Sequence, residues 1–182
     1  MKRRDFMSQS AGLGVMVAAG SITPTVLSAS STIKKLTAPS KGKIPVAFTI
    51  SEGATVIDFA GPWEVFQDVM IESRGSNHDD QMPFQLYTVS DTTAPVTGSG
   101  GLKLVPDYTF ETAPQPKVIV VPAQRGSQAQ HAWLRKMVGS TDIIMSVCTG
   151  AFQLGRAGLL SGKSATTHHD FFEQFEKAFP RR

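Results

Sequence analysis

The chain has 182 residues, 41% of them apolar and 18% charged, a size that suits one domain with a real core and is short for two. The formal net charge of +3 does not mark a nucleic-acid binder: Lys2, Arg3, Arg4 and Asp5 carry +2 of it, and the chain shows no zinc-ligand spacing, basic recognition helix or interleaved Phe/Lys platform. The single cysteine, Cys148, excludes an internal disulfide and any multi-cysteine metal site.

Lys2-Arg3-Arg4-Asp5-Phe6-Met7 is a twin-arginine pattern. A weakly apolar run, Ala11 to Ile22, follows, then Pro24, then small residues from Val26 to Ser31 of the kind signal peptidases accept. The run is too short and too weak to span a bilayer stably. Residues 1–30 are therefore expected to be an export signal, cut near Ala29 to Ser31, that delivers a folded protein to the periplasm or the medium with no stable membrane insertion. Residues 31–43 carry Lys34, Lys35, Lys41 and Lys43 among Ser, Pro and Gly, and predict a solvated linker.

Residues 44–182 read as one α/β domain. Ile44, Val46, Phe48 and Ile50 alternate as in a buried strand. Ser51 to Ile57 predicts a loop, and Gly61-Pro62 the start of a helix, because proline suits a first helical turn. Trp63, Phe66 and Met70 would share that helix's inner face. Asn77 to Gln81 predicts a polar turn, Phe84 to Val89 a second strand, Thr97 to Gly101 a turn, and Leu102 to Val105 a short hairpin arm. Lys117 to Val121 is a β-branched run typical of a strand buried on both faces. Gln128 to Val138 predicts a helix with Trp133/Met137 and Leu134/Val138 at the i, i+4 spacing. Asp142 to Val147 predicts another buried strand, Ala151 to Gly158 a helix, Ser164 to Thr167 a short strand, and Phe171, Phe172, Phe175 and Phe179 the apolar face of a last helix. Strands alternating with helices imply a three-layer α/β/α sandwich around a mostly parallel sheet.

The chemistry centres on Ile143 to Phe152, where a strand passes into a helix with almost no loop and Cys148 stands at the junction. Such a turn is strained and lies at the carboxyl edge of the sheet, where open α/β sheets bind ligands. The N–H groups of the next helical turn favour a thiolate there, and that of Thr149 could hold charge developing on a substrate. Gly150 and Ala151 are small enough to let the helix begin close to the sheet. A lone cysteine in isolation is more often a buried structural residue; the strand-to-helix placement reverses that reading.

Ser146 to His169 (SVCTGAFQLGRAGLLSGKSATTHH) resembles the nucleophile region of the ThiJ/PfpI superfamily, a class I glutamine amidotransferase-like group with a flavodoxin-like fold, and is closest to its isonitrile hydratase-like branch and the related sensor domains of AraC-type regulators. Val56 to Phe66 (VIDFAGPWEVF) resembles that branch's acidic motif, and Val118 to Pro122 the strand before the family's glycine pair. The resemblance implies Cys148 as nucleophile, Asp58 as the acid that contacts it and shuttles protons, and Thr149 as a substrate-binding neighbour; Gly150, Ala123 and Gln124 are the remaining candidate substrate contacts. A thiol and a carboxyl in contact would share a proton and titrate jointly. On local sequence alone, Asp58 reads instead as a helix N-cap, and Glu64 is the reserve acid.

Several residues depart from the pattern. Pro122-Ala123-Gln124 stands where relatives carry Pro-Gly-Gly, and neither Ala123 nor Gln124 adopts positive φ as readily as glycine. Thr149 replaces the histidine of protease-like relatives, which argues against a Cys-His peptidase. His168 and His169 would point oppositely in an extended chain, so His168 is expected to cap or pack, and the His168-His169-Asp170 run is discounted as a metal site. His78-Asp79-Asp80 reads as a solvated turn. Relatives continue past the Phe171–Phe179 helix, so a C-terminally short domain is expected, with an uncovered sheet edge that favours a homodimer.

The expected function is a cysteine-dependent lyase of the isonitrile hydratase type acting on a small molecule, with no cofactor and no metal. The alternatives are a non-catalytic ligand- or stress-sensing domain, and another cysteine-dependent enzyme on the same scaffold, such as a glyoxalase or small-amide hydrolase.

Overall fold

A computed structural model gives the fold and describes residues 36–180; the export signal expected over residues 1–30 lies outside them. Residues 44 onward form strand β1 (Ile44–Thr49), helix α1 (Val56–Gln67), the four-residue helix α2 (His78–Gln81) and strand β2 (Phe84–Ser90). Two-residue strands β3 (Val96–Thr97), β4 (Lys103–Leu104) and β5 (Tyr108–Thr109) follow, then β6 (Val118–Val121), α3 (Gln128–Met137), β7 (Ile143–Ser146), α4 (Ala151–Arg156) and α5 (Phe172–Ala178). The main sheet runs β5-β2-β1-β6-β7 with every pairing parallel, and β3 and β4 form a separate antiparallel arm. Among the described residues, no helix is long and apolar enough to cross a membrane.

Period-2 alternation in the central strands builds two cores, one on each face of the sheet. Val46, Phe48, Ile50, Val118 and Val120 face α1, where Trp63 packs tilted and Phe66 edge-on against Phe48, with ring centroids 5.0 and 6.3 Å away. Ala47, Tyr87, Val89, Ile119 and Val121 face the other way, onto Trp133, Leu134 and Met137 of α3 and Leu154 of α4. All four residues of β6 are buried. The α/β/α sandwich expected from the sequence is therefore the fold observed.

Several elements differ from expectation. Helix α1 begins at Val56, not at Pro62, which lies inside it. The helix survives the missing N–H because Phe59, Trp63 and Phe66 pack into the core, and its first turn is completed from elsewhere: Val56 N–H donates to Ser99 Oγ at 3.0 Å. Strand β7 is not buried on both faces; it pairs only with β6 among the described residues, and Ile143 is exposed. Ser164 to Thr167 pairs with no strand. In the last helix only Phe175 is buried, and Phe171 and Phe172 face solvent. Within the linker, Lys43 is not free: its Nζ donates to the Asp79 and Met82 carbonyls and pairs with the Asp79 carboxylate at 3.0 Å.

Candidate active site

Cys148 is the only non-glycine among the described residues with positive φ, at 55°. A left-handed backbone costs an L-residue about 1–2 kcal/mol, so the surrounding structure must hold it. Three hydrogen bonds do so. Val147 N–H donates to the Val121 carbonyl at 3.0 Å, tying the turn to β6, and Gly150 N–H closes onto the Val147 carbonyl at 2.9 Å. Thr167 Oγ1 donates to the carbonyl of Cys148 itself at 3.2 Å. The turn also sits very close to β6: a Cβ on Gly150 would lie 2.0 Å from the Val121 carbonyl oxygen.

Cys148 is half-buried and opens onto a cleft of about 420 Å³ that it shares with Ser146, Ala151, the Ser164–Thr167 segment and His168. The lining is small and hydroxyl-rich, and His168 is its one titratable side chain besides the thiol. Thr167 and the cleft-facing role of His168 were not foreseen from the sequence, because Ser164 to Thr167 was expected to join the sheet. His168 does cap as expected, its Nδ1 accepting from Asp170 N–H at 3.3 Å. The two histidines do not point oppositely, however. The chain turns into a 3-10 segment at His169, and the rings stack 4.3 Å apart. With Asp170 they bring ligand atoms within 4.8 Å of one another, the one such cluster among the described residues, on an exposed rim where Asp170 Oδ1 already pairs with His169 Nε2 at 3.1 Å.

Asp58 is buried, in the first turn of α1 rather than at its N-cap, which is Thr55. Its Oδ2 accepts from the backbone N–H of Ala123 at 3.1 Å. The carboxylate's hydrogen bond thus holds the segment after β6, which in turn abuts the Cys148 turn through Val121 and Pro122.

The sequence matches the DJ-1/PfpI family over residues 45–180. The chain belongs to the DJ-1/PfpI family. It is 32% identical over 131 residues to the isonitrile hydratase of Pseudomonas putida, which covers 69% of this chain and 52% of that protein. It is 30% identical over 103 residues to the HTH-type transcriptional regulator GbdR of Pseudomonas aeruginosa, covering 54% of this chain and 28% of the regulator. A crystal structure of a ThiJ/PfpI family protein from Pseudomonas syringae superposes with a TM-score of 0.58 at 28% identity, over 85% of this chain and 63% of that one. The chain thus spans about half the length of the hydratase and under a third of the regulator.

In this DJ-1/PfpI chain the residues singled out from the sequence fall into two groups. Cys148, Thr149 and Gly150 share one 3-10 turn, with Thr149 half-buried and Gly150 buried. Gly150 acts through its lack of a side chain, since its N–H is used within the turn. Ala123 and Gln124 are committed elsewhere than the cleft. The Ala123 N–H serves Asp58 and its carbonyl accepts from Thr55 N–H at 2.8 Å. The Gln124 amide turns inward to donate to Thr49 Oγ1 at 2.8 Å. Neither needs positive φ; in this loop Gly126 takes it, at 71°.

Proposed function

We propose that the protein is a small-molecule lyase of the isonitrile hydratase type, with Cys148 as nucleophile and Asp58 as proton carrier. The observation that carries this reading is the positive φ of Cys148 in the lining of the cleft, a strain that a merely structural cysteine would have no reason to keep. The similarity to isonitrile hydratase supports the choice of reaction. The thiol adds across the terminal carbon of an isonitrile, sulfur bonding to that carbon and a proton joining it, to give a thioimidate. Water then adds to the same carbon, the nitrogen takes a proton, and the C–S bond breaks. The products are an N-substituted formamide and the free thiol, with no oxidant or reductant consumed. Asp58 supplies and recovers the proton, and Thr149 N–H, in the first turn after the nucleophile, steadies negative charge that develops on the substrate during each addition. The hydroxyl-rich lining favours a small, uncharged substrate able to accept hydrogen bonds.

Formamide production from an alkyl isonitrile, lost in Cys148→Ala, is the expected result; equal turnover in that variant would refute the proposal. Lactate formation from methylglyoxal would move the assignment to a glyoxalase. The match to GbdR favours a second reading, a ligand-sensing domain, for which slow stoichiometric thiol modification without turnover is the expected signature. Export through the twin-arginine pattern of residues 2–7 belongs to the same proposal and is checked by fractionating cells expressing wild type and an Arg3→Lys/Arg4→Lys variant. So does a homodimer, supported by Ile57 and Val65 standing exposed on α1 and checked by light scattering.

A further inference from the structure

We infer that Gln153, seated by His131, is a positioning residue that sets the distance between the nucleophile and its acid; this rests on the reading of Cys148 and Asp58 above. Gln153 lies on α4, five residues after Cys148, and is almost fully buried at 2% exposure. Its Nε2 donates to two backbone carbonyls of the loop after β6, those of Gln124 at 2.8 Å and Arg125 at 3.3 Å. Carbonyls only accept, so the amide has one allowed orientation, and its Oε1 needs a donor. That donor is His131 on α3, whose Nε2 lies 2.9 Å away, and the ring therefore carries a proton on Nε2. Both partners are buried, so neither bond competes with solvent. Gly126 makes room for the amide: with φ at 71°, a Cβ there would lie 2.2 Å from Gln153 Oε1.

The nucleophile's turn and helix thus grip the same loop at two points. Gly150 presses on Val121 and Pro122, and Gln153 holds the carbonyls of Gln124 and Arg125. Ala123 lies between those points, and its N–H is the group that holds Asp58. Moving α4 relative to the loop therefore moves the carboxylate relative to the thiol. A carboxylate opposes formation of a thiolate more strongly the nearer it stands, so this spacing sets how readily Cys148 is alkylated as the pH rises.

The test is the pH dependence of Cys148 alkylation by iodoacetamide, with unfolding followed in parallel, for wild type, Asp58→Asn, Gln153→Leu, His131→Phe and the Asp58→Asn/Gln153→Leu double variant. His168, the other titratable group in the cleft, is retained throughout. Asp58→Asn and Gln153→Leu should each shift the midpoint by roughly half a pH unit or more. The double variant should shift no further than Asp58→Asn alone, because Gln153 acts through Asp58. His131→Phe orphans Gln153 Oε1 while leaving its grip on the loop, and should give a smaller shift in the same direction; it decides the matter if Gln153→Leu does not fold. A lower unfolding midpoint with an unchanged pH profile in the Gln153 or His131 variants would overturn the inference and leave the amide as structural support. An unchanged profile in Asp58→Asn would instead overturn the thiol–acid pairing itself, and the inference with it.

Discussion

Replacing Gly150 with alanine tests whether the strained turn is wedged against the sheet. The new Cβ would sit 2.0 Å from the Val121 carbonyl oxygen and 2.9 Å from both the carbonyl carbon and oxygen of Pro122. An ordinary carbon–oxygen contact is about 3.3 Å, so the turn and β6 would have to separate by roughly 1.3 Å. Overpacking usually costs about 1–3 kcal/mol, with flexible side chains giving way. Here the obstacle is backbone in a fully buried strand, and the Val121 oxygen is also the acceptor for Val147 N–H, so a loss of about 3 kcal/mol is expected. A displacement of that size at a reacting group typically lowers rates about 10²-fold, and Cys148 should lose its reactivity accordingly. Urea unfolding followed by tryptophan fluorescence reads the first effect and iodoacetamide labelling the second. Gly139→Ala is the control: nothing lies within 4 Å of a Cβ there, so its stability should change by no more than about 0.5 kcal/mol. If Gly150→Ala matches that control and still labels like wild type, the turn is not wedged and the account of its strain is wrong.

Cys148→Gly should be more stable than Cys148→Ala by about 1 kcal/mol in urea unfolding, because glycine accepts a φ of 55° and alanine does not; equal stabilities would mean the strain is absent. Thr49→Val should cost about 2–4 kcal/mol, since Thr49 Oγ1 accepts from both Gln124 Nε2 at 2.8 Å and Gln130 Nε2 at 2.9 Å, and both amides would lose a buried partner; a loss within 0.5 kcal/mol, about what a surface change gives, would argue that the amides find other acceptors. Burial, with a smaller effect from Tyr108, pushes the Tyr87 phenol well above its usual range, while its hydroxyl donates to the Pro114 carbonyl at 2.7 Å. The unfolded chain releases this proton near pH 10 and the folded one only higher, so stability is fully present below about pH 10 and falls above it. Tyr87→Phe should flatten that alkaline fall while costing about 1 kcal/mol at neutral pH, and an unchanged alkaline slope would refute the assignment.

The two-faced core was legible because alternation in Ile44 to Ile50 and the unbroken run at Val118 to Val121 each state which faces are buried, and the structure packs both. Helix α1 was misplaced because its signals conflict locally. Pro62 looks like a first-turn residue, and the group that completes the real first turn, Ser99, lies 43 residues further on. Paired elements two residues long, such as Tyr108–Thr109, leave no periodicity to read. In the candidate site, Cys148 stood out because a strand running into small residues announces a tight turn. Thr167 did not, since its role is a contact across 19 residues in a segment without secondary structure. His131 and Gln153 were invisible for the same reason: each reads as an ordinary polar residue on a helix until the fold places them 2.9 Å apart.

The strain at Cys148 and the polar bonding behind it bear on the same question, why this turn holds its shape. A left-handed residue costs about 1–2 kcal/mol. Each neutral hydrogen bond returns only about 1 kcal/mol net, so no single one would secure the turn with a margin. Three converge on it from different directions, from β6, from within the turn and from Thr167, and Gln153 fixes the helix that follows. Of these, the Thr167 bond alone comes from the cleft side, in a segment held in no sheet. A ligand that displaces Thr167 would therefore loosen the strained residue, and one that leaves it in place would keep the thiol presented. Thr167→Val should accordingly change the labelling rate of Cys148 more than it changes stability, with a stability loss of no more than about 1.5 kcal/mol. The reverse pattern would show that the sheet side alone holds the turn.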